Sequence, residues 1–376
     1  MTSDTPTNQM KALTLHKTQG DFKPGPGVWH PIKLEDVAVP TPKQGEVLIK
    51  ILASGFNHRD VFQRQSLYPG TIFSEPSSPS ILGADATGIV VAPSSHALHN
   101  KRVLIAPAEN WLESPLGPDV DGKQFGILGS VKQTRGRGTY AEYIAVGEKE
   151  VIECPEHLSN GQAAATPLGA LTAFRAVFTK ANVKQGDNVL VTGIGGGVAI
   201  IALQLCVAAG AKVWVSSSSE EKIKRAVELG AEGGVDYKDG QSVLSTWPRT
   251  LASLLPSARP YLDAVVDSGG GPIASQVGRV IKDGGVVACY GQTSGKPIEV
   301  NMAFILKNAE LRGSTMGSRE EFLAAVRFID KHKIEPVVDT VLAGLDDAER
   351  GFELLKQGGQ FGKVVITIAK EDHHKL

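Results

Sequence analysis

From about residue 187 onward the chain alternates short apolar runs with amphipathic stretches. The apolar runs at 188–192, 211–216, 262–267 and 285–290 read as strands. Helical patterns lie between them at 198–209, 220–229 and 273–282. Strand and helix in alternation predict a parallel, doubly wound sheet. Residues 46 to about 150 have another texture, with short strands such as 46–51, 87–91 and 103–105 separated by Gly and Pro turns. That pattern predicts an all-β, barrel-like lobe. The stretch 107–138 is rich in Gly, Pro and polar residues around Trp111 and Phe125 and reads as a long loop, the kind that often carries function. Near the end, 346–356 puts Ala348, Phe352 and Leu355 on one helical face, and a strand at 363–366 follows.

The most informative junction is 188–215. An apolar strand ends in Gly193-Ile194-Gly195-Gly196-Gly197, a helix follows at once, and a second strand comes after it. Gly193 and Gly195 match the first two glycines of a dinucleotide fingerprint, while Val198 stands in the third place. The chemistry behind the pattern is direct. Glycines let the backbone approach a pyrophosphate, and a helix N-terminus offers it free N–H groups and a positive dipole end.

Composition removes other classes. The chain has 376 residues, 41% hydrophobic, with a formal net charge of −1. Such balance gives no electrostatic reason to bind nucleic acid or an anionic membrane. The first nine residues are polar and show no signal-peptide core, and the apolar stretch 198–211 is too short for a membrane span. The expected location is cytoplasmic. Cys154, Cys206 and Cys289 are odd in number and far apart, so they read as buried small hydrophobes rather than a disulfide frame or a Cys-rich zinc site.

The second strand of the nucleotide unit ends in Ser216-Ser217-Ser218-Ser219, where an NAD site usually has an acidic residue. A carboxylate would repel a 2′-phosphate, whereas hydroxyls can donate to it. Lys222, Lys224 and Arg225 follow. Glu220 and Glu221 oppose this reading, but Ser218 and Glu221 fit a capping box, and acids in a first turn offset the helix dipole. The expected cofactor is NADPH.

Several motifs together resemble the medium-chain dehydrogenase/reductase superfamily. They are 55–60 (Gly-Phe-Asn-His-Arg-Asp), 83–90 (Gly-Ala-Asp-Ala-Thr-Gly-Ile-Val), 138–143 (Gly-Thr-Tyr-Ala-Glu-Tyr), Leu171-Thr172-Ala173, the glycine cluster and Gly362-Lys363-Val364-Val365. The resemblance implies an α/β protein: a GroES-like β-barrel catalytic domain (1–169), a doubly wound Rossmann domain (170–314) and a C-terminal return to the first domain (315–376). Within the superfamily the chain is most similar to the zinc-independent, NADPH-preferring quinone oxidoreductase branch. The zinc branch places a Cys ligand at Asn57, a His at Ala84 and a third ligand near Leu168, and its four-Cys lobe would fall in 107–138, which has no Cys. Catalytic zinc needs about three protein ligands of the right type.

The resemblance further implies that Asn57, Asp60 and Tyr68 lie near the nicotinamide. Asn57 is expected to polarise the substrate and Tyr68 to donate a hydrogen bond or proton. Arg59 either stabilises an oxyanion or pairs with Asp60, and His58 faces solvent or the pyrophosphate. Thr172 resembles the nicotinamide-side threonine, Tyr237 the tyrosine near the 2′-phosphate or adenine, and Lys363 a late cofactor-contacting lysine. Tyr290, Gly291, Gln292, Met316, Gly317 and Ser318 follow strand ends and can offer groups to the nicotinamide amide. Ser217, Ser218 and Lys222 belong to the phosphate end, with Gly193, Gly195, Gly196 and Gly197. Segments 67–79 and 107–138 are expected to shape a pocket, and His373 and His374 to be solvated. The function this predicts is NADPH-dependent, zinc-free hydride transfer to a quinone or an activated C=C bond of an enone or enal. Alternatives are an alcohol-dehydrogenase-like carbonyl reductase and a non-catalytic NADPH-binding protein. The expected partners are a small-molecule substrate and a second copy in a homodimer, with no nucleic acid and no membrane.

Overall fold

The computed structural model describes residues 8–68, 80–119, 124–130, 134, 136–238 and 246–369. Segment 69–79, parts of the 107–138 loop, and His373 and His374 therefore lie outside the described residues. The chain divides into two compact units, one of 1–168, 318–323 and 338–376, the other of 169–317 and 324–337. No described helix is long and apolar enough to cross a membrane.

The first unit is built on a seven-stranded sheet. Its path runs Val151–Glu153, Arg102–Ile105, Asp85–Ala92, Glu46–Gly55, Lys363–Thr367 and Val338–Ala343, with Tyr143–Gly147 also paired to Glu46–Gly55. A smaller sheet joins Ile32–Ala38, Gln9–Leu15 and Ser80–Ile81. The long central strand, Glu46–Gly55, is buried on both faces, so its sequence is almost continuously apolar. It lies antiparallel to Asp85–Ala92 on one side and to Lys363–Thr367 on the other. This register brings residues 55, 85 and 363 to one end of three neighbouring strands. The core beside them holds Phe56, Tyr140, Phe352, Leu82 and Val364. Phe352 and Leu355 come from the helix Ala348–Gln357.

The second unit holds a six-stranded parallel sheet in the order Gly233–Asp236, Lys212–Ser217, Asn188–Val191, Leu262–Asp267, Ile281–Cys289, Glu310–Gly313. Chain order reverses at Asn188–Val191, whose neighbours are the second strand and the fourth. That reversal is the switch point at which such sheets bind ligands. The 12-residue helix Gly197–Ala208 packs its apolar side chains against the sheet, and Ile200, Leu203 and Cys206 are fully buried.

Two local expectations need correcting. The helix expected over 273–282 stops at Val277, because Ile281 already begins a strand. A Cβ on Gly278 would lie 2.9 Å from the Phe304 amide nitrogen, so backbone packs closely there and the chain turns. The cap of the helix Glu220–Glu228 is Ser219, not Ser218; its hydroxyl accepts from the Lys222 N–H. The 14-residue helix Arg319–His332 was not predicted, although Phe322, Ala325, Val326 and Ile329 recur at helical spacing and are buried. Within 107–138, the short strands Ala108–Glu109 and Gly126–Ile127 pair, and Trp111 meets Phe125 edge-on at 5.6 Å.

Candidate active site and cofactor cradle

In the second unit the glycine turn is held at close quarters. Gly193 and Gly195 have φ of 66° and 127°, and both are backbone conformations that favour glycine. A Cβ on Gly193 would fall 2.4 Å from Ser268 Oγ, and one on Gly195 would fall 2.9 Å from Lys222 Cδ and 3.1 Å from its Nζ. The Lys222 side chain therefore lies over the turn. Gly196 caps the helix that starts at Gly197, with its first N–H groups at the same end. Ser217 is buried, and its hydroxyl accepts from the Ser219 N–H, while Ser218 is exposed. The half-exposed Tyr237 donates its backbone N–H to Ser217, so it sits at the same strand end. These features suit a phosphate-bearing dinucleotide: a cradle a side chain would fill, a helix N-terminus, a cation and hydroxyls, with no carboxylate at the strand end.

Asp267 ties the neighbouring strand ends together. It accepts from Thr192 Oγ1 at 2.6 Å, from Gly270 N at 2.7 Å and from Cys289 Sγ at 3.4 Å. Burial pushes the Cys289 thiol up to about 11, so it stays protonated and donates. Tyr290 donates its N–H to the Asp267 carbonyl, and Gly291 accepts from Cys289 Sγ. Gln292 is exposed and donates to the Lys296 carbonyl. Thr172 is buried, with its hydroxyl 3.9 Å from Met316 Sδ, and Met316 has a positive φ of 44°. The Ser318 hydroxyl accepts from the Glu321 N–H, and the Glu321 carboxylate accepts from Ser318 N, so Ser318 serves as a helix cap just after Gly317.

In the first unit, the central strand delivers Asn57 to the start of the helix His58–Arg64. Asp60 turns back and accepts from the Asn57 N–H at 3.0 Å and from Tyr140 Oη at 2.9 Å, while its Oδ1 has no hydrogen-bond partner. Burial raises the Asp60 carboxyl, and the Arg59 charge opposes the shift. Burial, with Asp60 adding to it, also pushes the Tyr140 phenol well up. Arg59 donates to the Leu128 carbonyl and to Ser130 Oγ, both at 2.8 Å; its Nη1 is 3.5 Å from Asp60 Oδ1, and its guanidinium lies 4.9 Å from the Tyr68 ring centre. That face-on contact is a cation–π geometry.

Lys363 is the surprise of this unit. Its ammonium bonds Asn57 Oδ1 and Asp85 Oδ2, both at 2.7 Å, and the Phe56 carbonyl at 2.9 Å. Asn57 Nδ2 donates to Asp85 Oδ2 at 2.9 Å, and Leu168 N donates to Asp85 Oδ1 at 2.5 Å. Lysine only donates and carboxylate only accepts, so the orientation of the Asn57 amide is unambiguous. Both ends of the amide expected to polarise a substrate are thus held by protein groups. Lys363, expected on the cofactor, lies here in the first unit with Asn57 and Asp85. Asp85 and Tyr140 were not singled out as site residues. The signal for Asp85 was a lone acid opening an otherwise apolar strand, which must find partners when buried. Tyr140 lies in the motif 138–143, but nothing in that motif sets it apart from an ordinary core aromatic.

Zinc does not suit this donor set. Asn57 Oδ1 is already bonded to an ammonium, and Ala84 and Leu168 offer no side-chain ligand. Among the described residues, no cluster of three or more His, Cys, Asp or Glu side chains is placed to hold a metal.

Two known families match the chain in turn. The family described as "Alcohol dehydrogenase GroES-like domain" matches residues 43–156, and that described as "Zinc-binding dehydrogenase" matches residues 197–331. The "Zinc-type alcohol dehydrogenase-like protein YogA" of Leptosphaeria maculans is 46% identical, over 92% of this chain and 96% of its own. The 2-methylene-furan-3-one reductase of Solanum lycopersicum is 30% identical, over 89% of this chain and 75% of its own. A crystal structure of an NAD-dependent alcohol dehydrogenase aligns with a TM-score of 0.81 and 32% identity, covering 96% of this chain and all of that one. On these matches, and on the glycine turn and sheet order already described, the chain belongs to the medium-chain dehydrogenase/reductase superfamily of nicotinamide-dependent oxidoreductases.

Proposed function

We propose that the chain is an NADPH-dependent reductase of conjugated acceptors, a quinone or an enone or enal, working without zinc. The observation that carries this reading is the cation at the buried polar cluster, an ammonium on Asn57 and Asp85 rather than a set of metal ligands. Bound NADPH supplies a hydride. When a hydride adds to the β-carbon of an enone, the π electrons move to oxygen and the charge spreads over an enolate. That charge needs less stabilisation than a localised alkoxide, and hydrogen bonds and fixed charges suffice for it. A proton then completes the saturated carbonyl. Tyr68 is the candidate donor, with Arg59 against its ring to hold it in place. The relative from Solanum lycopersicum, named for reducing a 2-methylene-furan-3-one, supports an exocyclic enone as acceptor.

Lys222 over Gly195, and serines in place of an acid at the strand end, support NADPH over NADH. Gly193, Gly195, Gly196 and Gly197 would receive the pyrophosphate, and Ser217, Ser218, Lys222 and Tyr237 the phosphate-bearing ribose. Thr172, Tyr290, Gly291, Gln292, Met316 and Gly317 remain candidates for the nicotinamide end. The edge strand Glu310–Gly313 with exposed Met302, Ile305, Leu306 and Leu311 supports a homodimer built on that edge. The three free, buried cysteines fit work in a reducing cytoplasm.

The test is NADPH consumption across quinones, enones, enals, simple ketones and ethanol with NADP⁺. Turnover should be confined to the conjugated acceptors and should survive chelator. Robust ethanol oxidation, or activity lost to chelator and restored by zinc, would overturn the proposal.

A further inference from the structure

Lys363 opens the strand Lys363–Thr367, and only 5% of its side chain is exposed. An ammonium has three N–H groups, and here each meets an acceptor: the Phe56 carbonyl, Asn57 Oδ1 and Asp85 Oδ2. Its counter-charge is equally constrained. Asp85 is fully buried and accepts from Lys363, from Asn57 Nδ2 and from Leu168 N. A second buried pair, Arg59 with Asp60, lies next to it through the Asn57–Asp60 turn. Buried ion pairs are poor sources of stability, since desolvation offsets most of the attraction and an apolar pair of similar volume does as well. Buried charges occur elsewhere too, Arg64 with Glu349 and Asp263 with Lys282 among them, but those partners are well exposed. Here both members of both pairs are buried, and all four lie in the motifs 55–60, 83–90 and 362–365.

We infer that the Lys363 ammonium is the resident cation of the reducing centre: fixed by Asn57 and Asp85, it supplies the positive charge against which negative charge develops on the acceptor oxygen. The inference rests on the reductase reading above and gives Lys363 a place other than the cofactor. Asn57 and Asp85 become positioning residues that aim and hold the charge. The position is also closed to a metal, because a cation entering beside Asn57 Oδ1 would meet the ammonium within bonding distance of the same atom.

Three variants test it: Lys363→Met, the charge-balanced Lys363→Met/Asp85→Asn, and Lys363→Arg, each checked for folding by thermal melting. NADPH affinity is read from cofactor fluorescence and kcat at saturating NADPH. The double variant removes both charges, so it keeps the test decisive if the single variant fails to fold. Expected is a fall in kcat of about a hundredfold in the double variant, the scale of losing one oxyanion-stabilising group. NADPH affinity should stay within about threefold of wild type, well under the tenfold that 1.4 kcal/mol represents. Lys363→Arg should recover part of kcat, because it restores charge with a different shape. Wild-type kcat in the double variant would overturn the inference. So would NADPH affinity lost with kcat unchanged, which would give Lys363 to the cofactor. A Co²⁺ titration of the wild-type chain reads the same claim without turnover. No visible d–d bands are expected, and stoichiometric bands that strengthen on chelator-sensitive binding would overturn it. A wild-type chain that binds NADPH but reduces no acceptor would contradict the proposed function, and the Co²⁺ and NADPH titrations would still decide whether the ammonium holds the cation position.

Discussion

The two units reach chemistry by opposite routes. The cofactor cradle of the second unit is built from one short stretch, 192–197, plus the next strand end, and its main groups are backbone and glycine. The polar cluster of the first unit is assembled from residues 57, 60, 85, 140 and 363, and its main groups are charged side chains buried against one another. A contiguous backbone device tolerates change around it but not within it. A cluster of buried charges fails when any one member is removed, since the others lose their partners.

The largest expected effect is on the cluster. Asp85→Ala leaves the Lys363 ammonium buried without its counter-charge. Unfolding free energy in urea should fall by about 3–5 kcal/mol, the usual scale for breaking a buried pair. A loss under about 1 kcal/mol would mean that the pair is solvated and the contrast between the units unfounded.

Glu150 sharpens the first-unit side. Its Oε2 has no hydrogen-bond partner, and burial raises its carboxyl to about 7 from an ordinary 4.5, with Arg319 opposing and Glu109 adding to the shift. A raised folded-state value means that stability is fully present below the unfolded value and is lost as pH climbs through about 7. The penalty at pH 8 is at most about 3 kcal/mol. Glu150→Gln should therefore raise Tm at pH 8 and change it little near pH 4.5. An equal gain at both values would show that the carboxyl is not displaced.

For the cradle, Gly195→Val places a branched side chain at a φ of 127° and against Lys222. Strain of about 1–3 kcal/mol should appear as a weakening of NADPH binding of roughly ten- to a hundredfold. Fluorescence titration checks it, and unchanged affinity would move the dinucleotide elsewhere.

The smallest effect concerns cofactor choice. Ser217→Asp should weaken NADPH more than NADH by setting a carboxylate at the phosphate end. Lys222→Ala should do so by about 1 kcal/mol or less, since a half-buried charge is still screened by water. An NADPH/NADH ratio that neither variant moves would sink the assignment of that strand end.

How much was legible in the sequence follows the same divide. The parallel sheet, its glycine turn and the helix Gly197–Ala208 were readable because their signals are local and periodic. The helix cap is Ser219 rather than Ser218, because the hydroxyl alone accepts the Lys222 N–H and no reciprocal acid is used. The helix Ile273–Val277 came out short because close packing at Gly278, which no local pattern announces, ends it. Asn57, Arg59 and Asp60 share one motif, and the structure keeps them in contact. Their link to Asp85 and Lys363 was not legible, because strand pairing brings together residues separated by 28 and 306 positions. The resemblance implies a cofactor contact for Lys363, and the pairing of its strand with Glu46–Gly55 sets its ammonium on Phe56, Asn57 and Asp85.

We propose that the first unit carries the chemistry and the second the cofactor. This is tested most directly by measuring kcat and NADPH affinity together for Asn57→Ala beside wild type. Losing the amide frees Lys363 from one of its three acceptors and unsettles the charge at the proposed reacting centre. Expected is a kcat lower by about a hundredfold with NADPH affinity nearly unchanged. Unchanged kcat with NADPH binding lost would contradict it and place Asn57 on the cofactor.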